Sequence, residues 1–131
     1  MKKNILILVS ILVFGGCASS KQDVKKPTIQ TKQNLDSLKE LIIKLDEISS
    51  DVEIIKIADT YYSKKDFLKA ITAYDFACAK FQSIPSCKKM AKMFEDGKGV
   101  LVNKAKAFDI YERSCFMGDT PSCEDMRRLE K

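Results

Sequence analysis

The sequence predicts an all-α fold, a short α-solenoid of antiparallel helix pairs. Three observations carry this expectation. First, Lys69 to Cys87, KAITAYDFACAKFQSIPSC, recurs at Lys106 to Cys123 as KAFDIYERSCFMGDTPSC. The offset is 37 residues at Ala70/Ala107 and Cys78/Cys115, and 36 at Cys87/Cys123. A repeat of helix-length units at that period belongs to helical arrays. Second, apolar residues from Leu35 onward step by three and four, the period of one helix face. Third, Pro85, Pro121 and the pair Gly97 and Gly99 fall between the periodic segments, where helices begin and end.

The 131-residue chain allows one domain at most. Its N-terminus, MKKNILILVSILVFGGC, has a basic start at Lys2 and Lys3, an apolar run from Ile5 to Phe14, and a small pair before Cys17. This pattern predicts a secretory signal peptide over 1–16, too short to span a bilayer comfortably. Gly15-Gly16-Cys17 resembles the bacterial lipobox, with Phe14 where that motif usually has an aliphatic residue. The resemblance implies cleavage before Cys17 and lipidation of its thiol and new amino group. Acyl chains contribute about 0.8 kcal/mol per buried methylene, so two or more anchor a protein stably. Ala18, rather than Asp, follows the cysteine. In Gram-negative lipoproteins that implies the outer membrane, facing the periplasm. Residues 17–33 form the lipidated tether. They are polar, with one proline and no hydrophobic period. Such a tether reaches roughly 20–24 Å.

Residues 34–50 read as an amphipathic leader helix with Asn34 as its cap. Leu35, Leu38, Ile42, Leu45 and Ile48 form the stripe, widened by Leu41. The stripe packs on the first repeat helix, pairs with a second copy, or docks on a partner or membrane. The repeats then occupy 51–131. Ser50-x-x-Glu53 matches a capping box and starts a helix through Ile54, Ala58, Tyr61 and Tyr62. SKKD at 63–66 turns the chain. The next helix, about 67–80, carries Ala70, Ile71, Ala73, Tyr74 and Ala77. Small residues there let neighbouring helices approach, and the large ones fill the space beside them. Pro85 suits the first turn of the following helix. That helix carries Met90, Ala91, Met93 and Phe94 and stops at Gly97. Asn103 caps a helix with Ala107, Ile110 and Tyr111, and Pro121 opens a last one to Lys131. Arg127 stands where Ala58 and Ala91 stand in the earlier helices. A charge at that place marks the end of the array.

The segment Ala58 to Ala77 resembles a tetratricopeptide helix pair. Gly97-Lys98-Gly99-Val100, Lys106-Ala107, Tyr111, Cys115, Gly118-Asp119, Pro121 and Cys123 resemble Sel1-like repeats. More narrowly, they resemble the cysteine-rich Sel1-like family typified by the Helicobacter cysteine-rich proteins. The resemblance covers about 58–131 and is looser in the first repeat, where the cysteines lie nine rather than eight apart.

Export places the chain where thiols oxidise. Setting aside Cys17 leaves four cysteines and three possible pairings. A short turn between antiparallel helices brings the end of one near the start of the next. That favours Cys78–Cys87 and Cys115–Cys123, the pairing the family resemblance also implies. The spacings do not match a zinc site, and no metal or cofactor is expected.

The formal net charge is +5, falling to +3 once Lys2 and Lys3 are removed. Charges of both signs are interspersed, which argues against a nucleic-acid partner. The chain has no His, the commonest general base, and no phosphate-binding loop. Three functions remain. One is a membrane-anchored, non-catalytic interaction module for an envelope protein or peptide, with Tyr61, Tyr62, Tyr74 and Tyr111 as the candidate binding face. Buried tyrosine is the plainer reading of those four. A second is penicillin-binding or weak β-lactamase activity, ascribed by the family resemblance. Ser86-x-x-Lys89 matches one element of serine β-lactamases, but Ser-Asp-Asn and Lys-Thr-Gly are absent. With 11 Ser and 20 Lys, chance alone places about two such matches in a chain this long. A third is a structural envelope protein self-associating through Leu35, Leu38, Ile42, Leu45 and Ile48. The first is the expected one.

Overall fold

The computed structural model describes residues 29–131. The signal peptide, Cys17 and residues 18–28 of the tether lie outside the described residues. Six helices follow in order: α1 (Ile29–Asp46), α2 (Asp51–Ser63), α3 (Phe67–Phe81), α4 (Ile84–Asp96), α5 (Lys104–Phe116) and α6 (Thr120–Leu129). Among the described residues there is no strand. From α2 onward each helix packs on its neighbours in sequence, and α1 packs on α3. This all-helical order is that of a helical-repeat array.

The small residues set the spacing. Ala58, Ala70, Ala73, Ala77, Ala91 and Ala107 are all fully buried. A larger side chain at any of these buried places would have to displace a neighbour. Leu45, Ile54 and Met93 fill the gaps between them, also essentially without exposure. Burying a side chain of that size contributes about 1.5–3 kcal/mol.

The leader helix differs from its expectation in two respects. It starts at Ile29, so Asn34 is inside the helix and does not cap it, and residues 29–33 of the expected tether are helical. Its stripe is also divided. Leu41 and Leu45 are buried, and Leu38 and Ile48 are half-buried, while Leu35 and Ile42 are exposed beside Ile43. The five-residue stripe is therefore not a free seam, because Leu45 and Ile48 belong to the core of the bundle. Lys80 of α3 fixes the end of α1. Its ammonium donates to the Asp46 carbonyl at 2.7 Å and to the Asp46 carboxylate at 3.1 Å. That satisfies a C-terminal carbonyl that has no partner within the helix.

The caps follow the sequence in most places. Asp66 and Asn103 accept from the backbone N–H three residues on, at 3.3 and 2.9 Å. Ser50 stands at the N-cap of α2, but its side chain makes no capping bond. Asp51 and Glu53 in the first turn supply negative charge there instead. Gly97 ends α4 in the left-handed conformation at φ 69°. The last helix stops at Leu129, two residues short of the terminus.

Both disulfides have the expected pairing. Cys78–Cys87 ties α3 to α4 and Cys115–Cys123 ties α5 to α6, with Cα separations of 4.9 and 4.7 Å. The tight reversals come from Gln82 (φ 51°) and Gly118 (φ 95°), at equivalent places in the two repeats.

The repeats differ at the start of the following helix. Asp119 accepts from the Ser122 backbone N–H at 3.0 Å and from the Ser122 hydroxyl at 2.6 Å, and it pairs with Lys88 at 3.1 Å. In the first repeat Ser83 and Ser86 occupy the places of Asp119 and Ser122. Both are buried, and their hydroxyls have no partner. The bonds from Ser122, more than opposing burial, hold the Asp119 carboxyl below its ordinary 3.8, with Lys88 adding to them. A carboxyl lowered on folding stabilises above its unfolded pKa, and the contribution is lost as pH falls through the folded value. Asp119→Ala is expected to destabilise by about 1–2 kcal/mol at neutral pH, by loss of the cap and the orphaning of Ser122. The gap from the parent protein should narrow as pH drops below 4. Thermal melts of both proteins at a series of pH values check it, and a gap independent of pH would contradict the account.

Candidate functional site

Helices α2, α4 and α6 present one face of the array, with α3 and α5 behind it. Two clefts open on this face. The first lies between α2 and α4. It is lined by Asp59 and Tyr62 of α2, Tyr74 of α3, Lys89, Lys92, Met93 and Asp96 of α4, and Lys98 of the following loop, with a volume of about 170 Å³. The second lies between α4 and α6. It is lined by Lys88, Lys89 and Lys92 of α4, Tyr111 of α5, and Asp125 and Arg128 of α6, with a volume of about 350 Å³. Lys89 and Lys92 line both, so the two clefts lie side by side across α4 and together form the groove region of this face.

The floor of each cleft is a tyrosine from the helix behind. Tyr74 and Tyr111 are 37 positions apart and each is 2% exposed. In the first cleft the Tyr74 hydroxyl donates to Asp59 Oδ1, and the Lys89 ammonium donates to the same oxygen from above. The ammonium also sits over the Tyr74 ring, 5.5 Å from its centre. Burial disfavours the Asp59 carboxylate, but the two hydrogen bonds outweigh it and its pKa falls below the ordinary value. Burial, together with Asp59, pushes the Tyr74 hydroxyl well up, so it remains a neutral donor. Lys98 closes one end of the cleft. Its ammonium donates to the Tyr62 hydroxyl at 2.7 Å and lies over that ring at 5.2 Å.

The second cleft is braced by Arg128. Its guanidinium forms a two-pronged pair with Glu95 at 2.7 and 3.0 Å and reaches Asp125 at 3.1 Å. The Arg128 bond is the main reason the Glu95 carboxyl is held below its usual range. A two-pronged pair fixes orientation as well as charge. It links α6 to α4.

Of the four candidate tyrosines, Tyr62, Tyr74 and Tyr111 reach the groove. Tyr74 and Tyr111 do so as floor residues, each almost wholly buried. Tyr61 is half-buried, lies under the Lys69 ammonium at 5.5 Å, and lines neither cleft. Apart from Lys89, which the sequence offered only in the Ser86-x-x-Lys89 match, the groove's charged residues were not among the sequence candidates. Their signal was Asp59 after Ala58 and Lys92 after Ala91, one step past the small residue of each front helix.

Ser86 and Lys89 do not form a working pair. Ser86 is fully buried without a hydrogen-bond partner, and Lys89 is engaged with Asp59. A serine nucleophile needs both an activating base in reach and an open approach, and Ser86 has neither. Among the described residues, no group of His, Cys, Asp or Glu is placed to hold a metal ion.

No family model, curated protein or solved structure matches this chain. Among the described residues, fold and site together define a disulfide-linked array of six helices with charged, tyrosine-floored clefts along its front helices.

Proposed function

We infer that this chain is a lipid-anchored cell-envelope interaction module of Sel1-like type, binding a protein or peptide segment along the groove of α2, α4 and α6. The observation that carries the reading is the adjacency of two clefts built at equivalent places in successive repeats. They share Lys89 and Lys92 as walls, so an extended segment laid across α4 would touch both. Repeat arrays bind in this way, through surfaces continuous over several units. The Sel1-like part rests on the long loop after α4, whose Gly99 lies against Phe67, and on a disulfide in each repeat. The anchor rests on the sequence around Cys17. No reading as a β-lactam enzyme is favoured by the placement of Ser86 and Lys89.

A photo-reactive residue at Lys92 or Lys98 should cross-link a partner in intact cells. The same residue at Asp109, exposed on α5 and away from the groove, should not. Cross-linking only from position 109 would overturn the reading. In the same cells Cys17→Ser should move the protein from the membrane to the soluble fraction, and unchanged membrane association would remove the anchor.

A further inference from the structure

The two disulfides close equivalent turns, but they fasten very different helices. Cys78–Cys87 ties α3 to α4, and α4 has a hold of its own, because it buries Ser86, Cys87, Met90, Ala91 and Met93. Cys115–Cys123 ties α5 to α6, and within α6 Ser122 alone is fully buried. Met126 and Leu129 reach the core only half-buried. The apolar grip of α6 on the bundle is therefore small.

The other ties of α6 are polar. Arg128 pairs with Glu95 of α4, and Asp119 at the N-cap pairs with Lys88 of α4. Ion pairs open to water hold weakly. A helix of ten residues is also shorter than the roughly 12–15 residues at which a helix becomes even marginal alone in water. So α6 keeps its shape by being held, and the bridge is the strongest of its ties. It is also the accessible one. Cys115 and Cys123 are half-exposed while Cys78 and Cys87 are buried, and thiol–disulfide exchange requires approach to a sulfur.

We propose that Cys115–Cys123 is a redox latch on the second cleft: a dithiol reductant opens it, α6 undocks, and the cleft between α4 and α6 is lost while the first cleft remains. One thiolate of the reductant attacks a bridge sulfur and forms a mixed disulfide. Its second thiol then displaces the protein sulfur, so the two protons and two electrons of the reductant end on Cys115 and Cys123 and the reductant leaves as a disulfide. With α6 go Asp125 and Arg128, which wall the second cleft above Tyr111. The first cleft is lined by α2, α3, α4 and Lys98, with no residue from α6. Redox state thus sets whether the front face presents one cleft or two. The latch follows from the packing of α6, and its use in regulation rests on the groove-binding reading.

The test uses the full chain in detergent. Limiting dithiothreitol opens the bridge, mass spectrometry of alkylated protein identifies the opened species, and amide hydrogen exchange is read helix by helix. Exchange over residues 120–129 should rise at least tenfold, while the buried amides of α2, α3 and α4 keep most of their protection. Cys115→Ala with Cys123→Ala, with Cys78–Cys87 intact, should show the same pattern without reductant. Unchanged exchange in α6 overturns the latch. Loss of protection throughout the bundle at once also overturns it, since the bridge would then support the whole fold. Exchange is read without a partner, so this result stands apart from the groove-binding reading. In cells, a photo-reactive residue at Asp125 should cross-link a partner in the parent protein but not in the bridge-free variant, and one at Lys98 should do so in both. Equal cross-linking from position 125 in the two proteins overturns the regulation. No cross-link from either position in the parent overturns the groove-binding reading, and the regulation with it.

Discussion

Breaking the Cys78–Cys87 bridge by paired substitution to alanine should lower the stability of the fold by about 2.5 kcal/mol, as should breaking Cys115–Cys123. The bridges close loops of nine and eight residues. A cross-link of that span removes conformational freedom mainly from the unfolded chain. For a domain of about 100 residues, each kcal/mol moves the thermal midpoint by about 4–8 °C. Each bridge is therefore expected to contribute roughly 10–20 °C. Together they approach the whole stability of a small domain, about 5–15 kcal/mol. The two should differ in how easily they are reduced. Cys78 and Cys87 are buried, whereas Cys115 and Cys123 are half-exposed. Thiol–disulfide exchange needs access to sulfur, so limiting reductant should open Cys115–Cys123 first. Thermal melts of the two paired variants and mass spectrometry of alkylated, partly reduced protein check both parts. Equal melting with and without the bridges would remove their structural role.

Gly99→Ala should be the most damaging of the conservative glycine substitutions, at about 2–4 kcal/mol. Gly99 has φ +73°, and a methyl group there would stand 2.7–2.8 Å from the backbone carbonyl and Cβ of Phe67. Backbone must move on one side or the other, because no flexible side-chain end is available to yield. The left-handed conformation adds about 1–2 kcal/mol for any residue with a Cβ. Gly118→Ala provides the control. Its φ is +95°, but nothing lies within 4 Å of the added methyl. It should show the conformational part alone, about 1–2 kcal/mol. The difference between the two variants measures the contact that seats the loop of α4 on the start of α3. Equal losses in urea melts would show that the contact contributes nothing. If that loop shifts, Lys98 leaves Tyr62 and the end of the first cleft opens.

Much of the fold was legible because its cues are local. Pro85, Pro121, Gly97 and Asn103 act on their own segment of chain, and the structure has helices starting or stopping at each. The repeat placed the cysteines at helix ends, and a short reversal leaves little choice of partner. The start of α1 was misread for the opposite reason. Asn34 looks like a cap, but the residues before it extend the helix to Ile29. The stripe on that helix was visible in the sequence, while its division was not. Leu45 is buried and Ile42 exposed because α1 lies on α3, and the angle at which one helix meets another is not written in either one.

The groove shows the same division. By itself the sequence determined an all-helical repeat array, most of its helix ends from α2 onward and its disulfide pairing, since these follow from periodicity, caps and short loops. Only the tertiary structure decided that Asp59, Tyr74 and Lys89, spread over 30 positions on three helices, meet at a single oxygen. It also decided that Ser86 is sealed in the core and that Tyr111 floors the cleft between α4 and α6. Local rules fix which face of a helix is apolar. Which polar groups on the other face come within hydrogen-bond reach depends on how the helices stack, and that is set by the alanines between them.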